Sequence, residues 1–278
     1  MYKSFAVAML AALGAVSLHA TDDPKQIVTR ALQFHERNDS LARNYTFLQR
    51  TEIRALDGSG KVRHNDCKTH DITILEGSPY RRLVARDDKP LPPKEEQQQQ
   101  SELQRSIEAR KKETPEQRQQ RISDWERRRK SQEEELKEVP DAFDLRLVGE
   151  DTIEGEPTWI IEGTPRPDYK PKSRQSGYYR KLKGRIWITK SDYMPVKIEA
   201  ESTDTISMGA FVIRFQKGAH FIVENTRVNG EVWLPKHVWF TGDARLLLVK
   251  GMKVNTDIAF TNYKKFTAES RIVSTSAQ

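Results

Sequence analysis

The spacing of hydrophobic residues changes from a helical to a strand period early in the chain. Ile27, Ala31 and Phe34 recur at intervals of four and three, as on one face of a helix, and Pro24 suits a first helical turn. From Tyr45 onward, apolar and charged residues alternate, as in a strand with one solvated face. The pattern predicts an amphipathic helix over residues 24–38, followed by strands.

The alternating pattern continues to residue 85 and returns after residue 140, with turn residues at hairpin spacing. About ten or eleven strands are predicted in this way. Strands joined by short turns form antiparallel meanders. Because one parity of most strands is charged, the apolar parity is expected to face inward, onto a helix or into a cavity.

Residues 90–140 have a different composition. Between residues 94 and 138 there are twelve basic and twelve acidic residues and few apolar ones. The sequence Thr114-Pro115-Glu116-Gln117 has the form of a capping box, which predicts a helix over residues 115–139. The insert is interpreted either as a solvated helical hairpin with little packing or as a mobile lid or docking arm.

The N-terminal segment, the cysteine content and the charge indicate the cellular compartment. Residues 1–20 have the order of a secretory signal peptide, with Lys3, an apolar run and small residues that favour cleavage after Ala20. No cysteine lies near that point for a lipid anchor, and Cys67, the only cysteine, excludes an internal disulfide. We therefore expect a soluble periplasmic protein. Loss of the signal peptide with Lys3 lowers the formal net charge from +7 to +6, a surplus that favours peripheral contact with an anionic membrane and is too small to indicate nucleic acid.

The search for catalytic or metal-binding motifs finds one cluster, which contains His64, Cys67 and His70. The local period favours a strand, on which Cys67 points away from the two histidines, so no metal is expected. The sequence has no nucleophile elbow, phosphate-binding loop or zinc-protease motif. We predict no enzyme activity and no cofactor.

Two stretches resemble a known family. The first is the hairpin GRIWITKSDYMPVKIEAES, in which the matching positions are Gly184, Ile186, Trp187, Ile188, Tyr193, Pro195, Val196, Lys197, Ile198 and Glu199. The second is VNGEVWLP, residues 228–235. Together with the export signal, the first helix and the meander, they resemble the LolA-like superfamily of periplasmic lipoprotein carriers and outer-membrane lipoprotein-sorting proteins.

The resemblance implies an α+β fold: a strongly curved antiparallel sheet, forming an unclosed half-barrel around the N-terminal helix, with the charged helical insert as an addition. It also implies a single LolA-like domain over residues 21–278, interrupted by residues 90–140. In the carriers of this family, the apolar concave face holds lipoprotein acyl chains, and no catalytic residues are known.

The function expected from the sequence is therefore non-enzymatic binding or transport of lipoprotein or lipid acyl chains, or of another apolar ligand. The alternative is an envelope sensor or interaction module that binds a protein partner through residues 94–138. Apolar positions that form either the core or the ligand groove are Ile27, Phe34, Phe143, Leu145, Leu147, Ile186, Ile188, Val196, Ile198, Phe211, Ile213 and Phe215.

Overall fold

The computed structural model describes residues 23–208, 213–246 and 251–266. Its α-helices are α1 (Pro24–Ala42), α2 (Pro93–Lys111), α3 (Pro115–Leu136) and α4 (Val139–Ala142), and a 3-10 helix covers Ser176–Lys181. The strands are β1 (Tyr45–Leu56), β2 (Val62–Leu75), β3 (Ser78–Arg86), β4 (Lys89–Pro90), β5 (Phe143–Ile153), β6 (Glu156–Pro165), β7 (Leu182–Thr189), β8 (Pro195–Ser202), β9 (Ile206–Met208), β10 (Ile213–Phe215), β11 (His220–Val228), β12 (Val232–Leu246) and β13 (Met252–Lys265).

All strands within the described residues belong to one antiparallel sheet. Their order is β4-β3-β2-β1-β13-β12-β11-β8-β7-β6-β5, and β9 and β10 join it beside β12. β4 and β5 stand at opposite ends of this order and do not pair, so the described sheet does not close, and the predicted unclosed α+β half-barrel is confirmed. The thirteen strands exceed the predicted ten or eleven because β4 and β9 are only two and three residues long. Such short segments leave no alternating pattern to detect.

Helix α1 packs on one face of this sheet. Its buried residues Ile27, Val28 and Ala31 form a core cluster with Trp159, Ile161 and Ile188. We call this side of the sheet the helix face and the other side the outer face.

Helix α1 continues four residues beyond the predicted end at residue 38. The amide of Asn38, expected to stop the helix, bonds the sheet instead. It donates to the Trp233 carbonyl at 2.7 Å and accepts from the Trp233 N–H at 2.7 Å.

The charged insert forms α2 and α3, as predicted. The capping box is present: the Thr114 hydroxyl accepts from the Gln117 N–H, and the Gln117 side chain accepts from the Thr114 N–H. Helix α3 ends at Leu136, three residues earlier than predicted. Pro140 accounts for this, since it has no N–H to donate to the Leu136 carbonyl. Neither α2 nor α3 buries a residue.

The predicted signal peptide, residues 1–20, lies outside the described residues. Within the described part of the chain, no helix has both the length and the apolar character needed to cross a membrane. The division into one domain with an insert stays a prediction.

Gly184 permits the close approach of β7 to β8. A Cβ atom at this position would lie 2.2 Å from the Glu199 carbonyl oxygen, whereas a Cβ at the paired Gly163 would lie 3.4 Å from the nearest Phe143 carbon. We expect Gly184→Ala to lower the free energy of unfolding by about 1–3 kcal/mol, because the strands must separate. Gly163→Ala is the control and should change it little. Urea titrations measure both, and equal losses would contradict this explanation.

Candidate functional site

A continuous row of aliphatic side chains crosses seven strands on the helix face. In antiparallel sheets, directly opposite residues point to the same side. The register places such residues opposite one another from β5 to β13, and we call this set the apolar row: Leu147, Ile161, Ile186, Ile198, Val223, Val238 and Ile258. On β1, Thr51 continues it as a polar residue.

Helix α1 covers only part of the apolar row. Ile161 has no exposed surface and lies against α1, and Ile186 packs at the margin of the same cluster. The residues on β8, β11, β12 and β13 lie outside that cluster and are only half-buried. We call these residues the open half: Ile198, Val223, Val238 and Ile258. They span three strand spacings, or about 14 Å.

Aromatic rings flank the open half on both sides along the strands. On one side, the ring of Phe240 lies 4.6 Å from that of Phe215 and 4.8 Å from that of Phe221. On the other side, the ring centroids of Phe47 and Phe260 are 5.8 Å apart. The open half and these rings together form an apolar surface that the described helices leave partly uncovered.

The structure distributes the sequence-predicted apolar positions over several environments. Ile27 and Ile188 are buried in the α1 cluster, with Leu145 and Ile186 at its margin. Val196 is buried in a second cluster, against which Phe34 packs. The remaining positions are Phe143, which contacts Tyr179; Leu147, 38% exposed on β5; Ile198 in the open half; and Phe215 beside Phe240. Phe211 and the side chain of Ile213 lie outside the described residues.

Sequence reasoning did not select Val223, Val238 and Ile258 as candidate groove residues. Each lies in a strand that the alternating pattern predicts, so the sequence indicates which residues of that strand share its face. Their placement beside Ile198 depends on cross-strand register, which links residues far apart in the chain. The predicted site therefore stays a prediction, to which the structure adds these three residues.

The outer face carries a hollow of about 560 Å³. Its charged side chains pair with one another: Arg185 lies 3.2 Å from Glu162, and Lys183 lies 3.2 Å from Glu201. This mutual pairing leaves little excess charge to attract an ionic ligand.

The segment with His64, Cys67 and His70 is a strand, as predicted. Cys67 is 3% exposed, and its thiol lies 3.6 Å from Asp88. Burial raises the pKa of this thiol, which disfavours the thiolate that would bind a metal. Within residues 23–208, 213–246 and 251–266, no group of three His, Cys, Asp or Glu side chains could hold a metal ion.

Helix α2 of the insert contacts β3, where the Gln99 side chain accepts from the Leu83 N–H at 3.2 Å. The insert is fastened to the body at two further places. At the β2–β3 turn, Arg121 of α3 donates to the Ser78 hydroxyl at 2.6 Å and to the Glu76 carbonyl at 3.0 Å. Directly after the end of α3, Lys137 lies 3.2 Å from Glu36 of α1. The two anchoring residues are sixteen positions apart, or about 24 Å along the helix.

A second ion pair joins α3 to α1, between Arg129 and Asp39. Burial lowers the pKa of Arg129 and also that of the nearby His35. The insert thus connects the β2–β3 turn to α1, the helix that packs on β6 and β7.

No protein-family model matches this chain, and no curated protein matches it. Solved structures with a similar fold include a domain from Vibrio parahaemolyticus described as outer membrane lipoprotein-sorting, which is 8% identical with a TM-score of 0.36; the match covers 87% of this chain and 94% of that chain. A LolA superfamily protein from Nitrosomonas europaea is 10% identical with a TM-score of 0.33, covering 88% and 93%.

A third similar structure is the MucA/MucB complex of Pseudomonas aeruginosa, which is 12% identical with a TM-score of 0.21, covering 86% of this chain and 99% of that chain. The LolA-like resemblance predicted from the sequence is thus found again among solved structures. These TM-scores are below 0.5, so the similarity assigns no function to this chain.

Proposed function

We propose that this protein is a non-enzymatic binding or carrier protein of the cell envelope, and that it holds the apolar chain of a lipid or lipoprotein on the open half of the apolar row. One observation carries the proposal. Four aliphatic side chains lie in one row with the fully buried Ile161, on the same face of the same sheet, yet they are only half-buried and lie outside the cluster that α1 covers.

The energetics of chain burial fit this surface. Each methylene removed from water contributes ~0.8 kcal/mol, and association costs at least ~4 kcal/mol. About fifteen buried methylenes are therefore needed to reach the ~8 kcal/mol of micromolar binding. That is the length of a common fatty acyl chain.

The insert sets one boundary of the proposed groove, since α3 is tied both to the β2–β3 turn and to α1. An acyl chain on the open half would lie between these attachments and the sheet. Binding of an envelope protein through residues 94–138, peripheral membrane contact and periplasmic location stay predictions.

Uptake of a fluorescent fatty acid tests the proposed function. Purified protein is expected to bind it with a dissociation constant in the low micromolar range, and oleate should displace it. Native mass spectrometry of gently purified protein should also show bound lipid. No uptake at about 100 µM probe, together with recovery of empty protein, would refute the proposal.

A further inference from the structure

Basic side chains lie on the helix face at the β1 end of the apolar row. The register continues the row from Ile258 to Thr51 on β1, to Lys68 on β2 and to Arg86 on β3. Two rows away on the same face, Phe47 lies opposite Ile72, which lies opposite Arg81. Cationic side chains therefore lie one or two strands beyond the apolar surface.

His70 lies among these cations. The guanidinium of Arg81 places Nη2 3.0 Å from Nδ1 of His70. Because a guanidinium only donates, Nδ1 accepts this hydrogen bond and the imidazole proton is on Nε2. Burial, followed by the charges of Arg81, Lys68 and Arg86, lowers the pKa of His70 to about 4. The ring is therefore neutral at neutral pH, with Nε2–H as a donor.

The cations are not equally compensated by carboxylates. Lys68 lies 2.7 Å from Asp66, and Arg86 lies 3.2 Å from Glu95. For Arg81, which is exposed, the part of the chain that the structure describes provides no carboxylate at ion-pair distance. The group thus has one positive charge in excess at the margin of an apolar surface.

We propose that Lys68, His70 and Arg81 bind the oxyanion of an amphiphile, a carboxylate or a phosphate, whose chain lies on the open half. This inference rests on the proposed function and narrows its ligand to an anionic amphiphile, such as a fatty acid or a phospholipid. Arg81 offers two parallel N–H donors, a geometry that matches carboxylate and phosphate oxygens. Lys68, whose charge Asp66 already compensates, adds ammonium N–H donors, and Nε2–H of His70 adds a neutral donor.

Comparison of two probes with the same chain tests the head-group site. Oleate, which is anionic, is expected to bind about tenfold more tightly than oleyl alcohol, which is neutral. Arg81→Gln should remove that preference by weakening oleate about tenfold and leaving oleyl alcohol unchanged. Arg82→Gln is the matched control, because Arg82 is the adjacent residue, points to the outer face and pairs with Asp71 at 3.3 Å.

A titration with inorganic phosphate distinguishes the two possible sources of the oxyanion, which are an amphiphile and a free anion. If the site serves an amphiphile, phosphate alone should bind far more weakly than oleate. Phosphate binding that is as strong as oleate binding and depends on Arg81 would assign the site to a free anion and overturn the amphiphile inference. Equal oleate affinity of Arg81→Gln and Arg82→Gln would overturn it as well, while the proposed function would stand if both still bind oleyl alcohol. Failure of both long-chain probes would refute the proposed function itself.

Discussion

Replacement of Ile161 by alanine is expected to lower the free energy of unfolding by roughly 2–5 kcal/mol. Ile161 has no exposed surface and lies in the cluster through which α1 attaches to the sheet. Alanine would leave a cavity there, and the rigid packing of α1 against β6 and β7 would limit its collapse. Urea titrations followed by circular dichroism measure the loss.

Leu147→Ala is the matched control for this prediction. Leu147 lies directly opposite Ile161 in the apolar row, but it is 38% exposed because β5 is an edge strand. Truncation at such a position should cost less than about 1 kcal/mol. An equal loss of unfolding free energy in the two variants would contradict the placement of the core at the contact between α1 and the apolar row.

Val223→Asn should weaken the binding of a fluorescent fatty acid at least tenfold. Val223 is central in the open half, between Ile198 and Val238. An acyl chain on this surface would bury the amide without a hydrogen-bond partner, at a cost of about 1–3 kcal/mol, and tenfold in affinity corresponds to ~1.4 kcal/mol. Displacement titrations with oleate provide the measurement.

Ile222→Asn is the control for the binding experiment. Ile222 is the adjacent residue of β11, is also half-buried, and points to the outer face. Its replacement should disturb the fold to a similar degree and leave fatty acid affinity unchanged. Equal weakening in the two variants would show that the open half is not the ligand surface.

Local signals explain the parts of the fold that the sequence predicted. The alternation in β7 and β8 predicted inward-facing Ile186 and Ile198, which lie directly opposite each other in the sheet. The capping box at Thr114 correctly marked the start of α3, because its two hydrogen bonds join residues only three apart. These signals depend on residues within one helical turn or one strand, so they can be recognised from the amino-acid sequence alone.

Predictions from local signals were wrong where a residue outside the local pattern makes the decisive contact. Asn38 indicated a helix end, but its amide bonds the backbone of Trp233. The alternating pattern put Trp187 on the solvated side of β7, yet its side chain is 7% exposed, with the ammonium of Lys197 4.8 Å from its ring centroid. In both cases the contact depends on a residue that the local pattern does not include.

The sequence by itself determined the strand periods, the first helix, the helical nature of the insert and the membership of each apolar residue in a face. Only the tertiary structure decided that Ile161 is buried whereas Ile198 and Val223 are half-exposed, and that Arg81 stands beside His70. The reason is that side-chain alternation is a property of consecutive residues. Cross-strand register and the area covered by α1 result instead from packing between segments that are far apart in the chain.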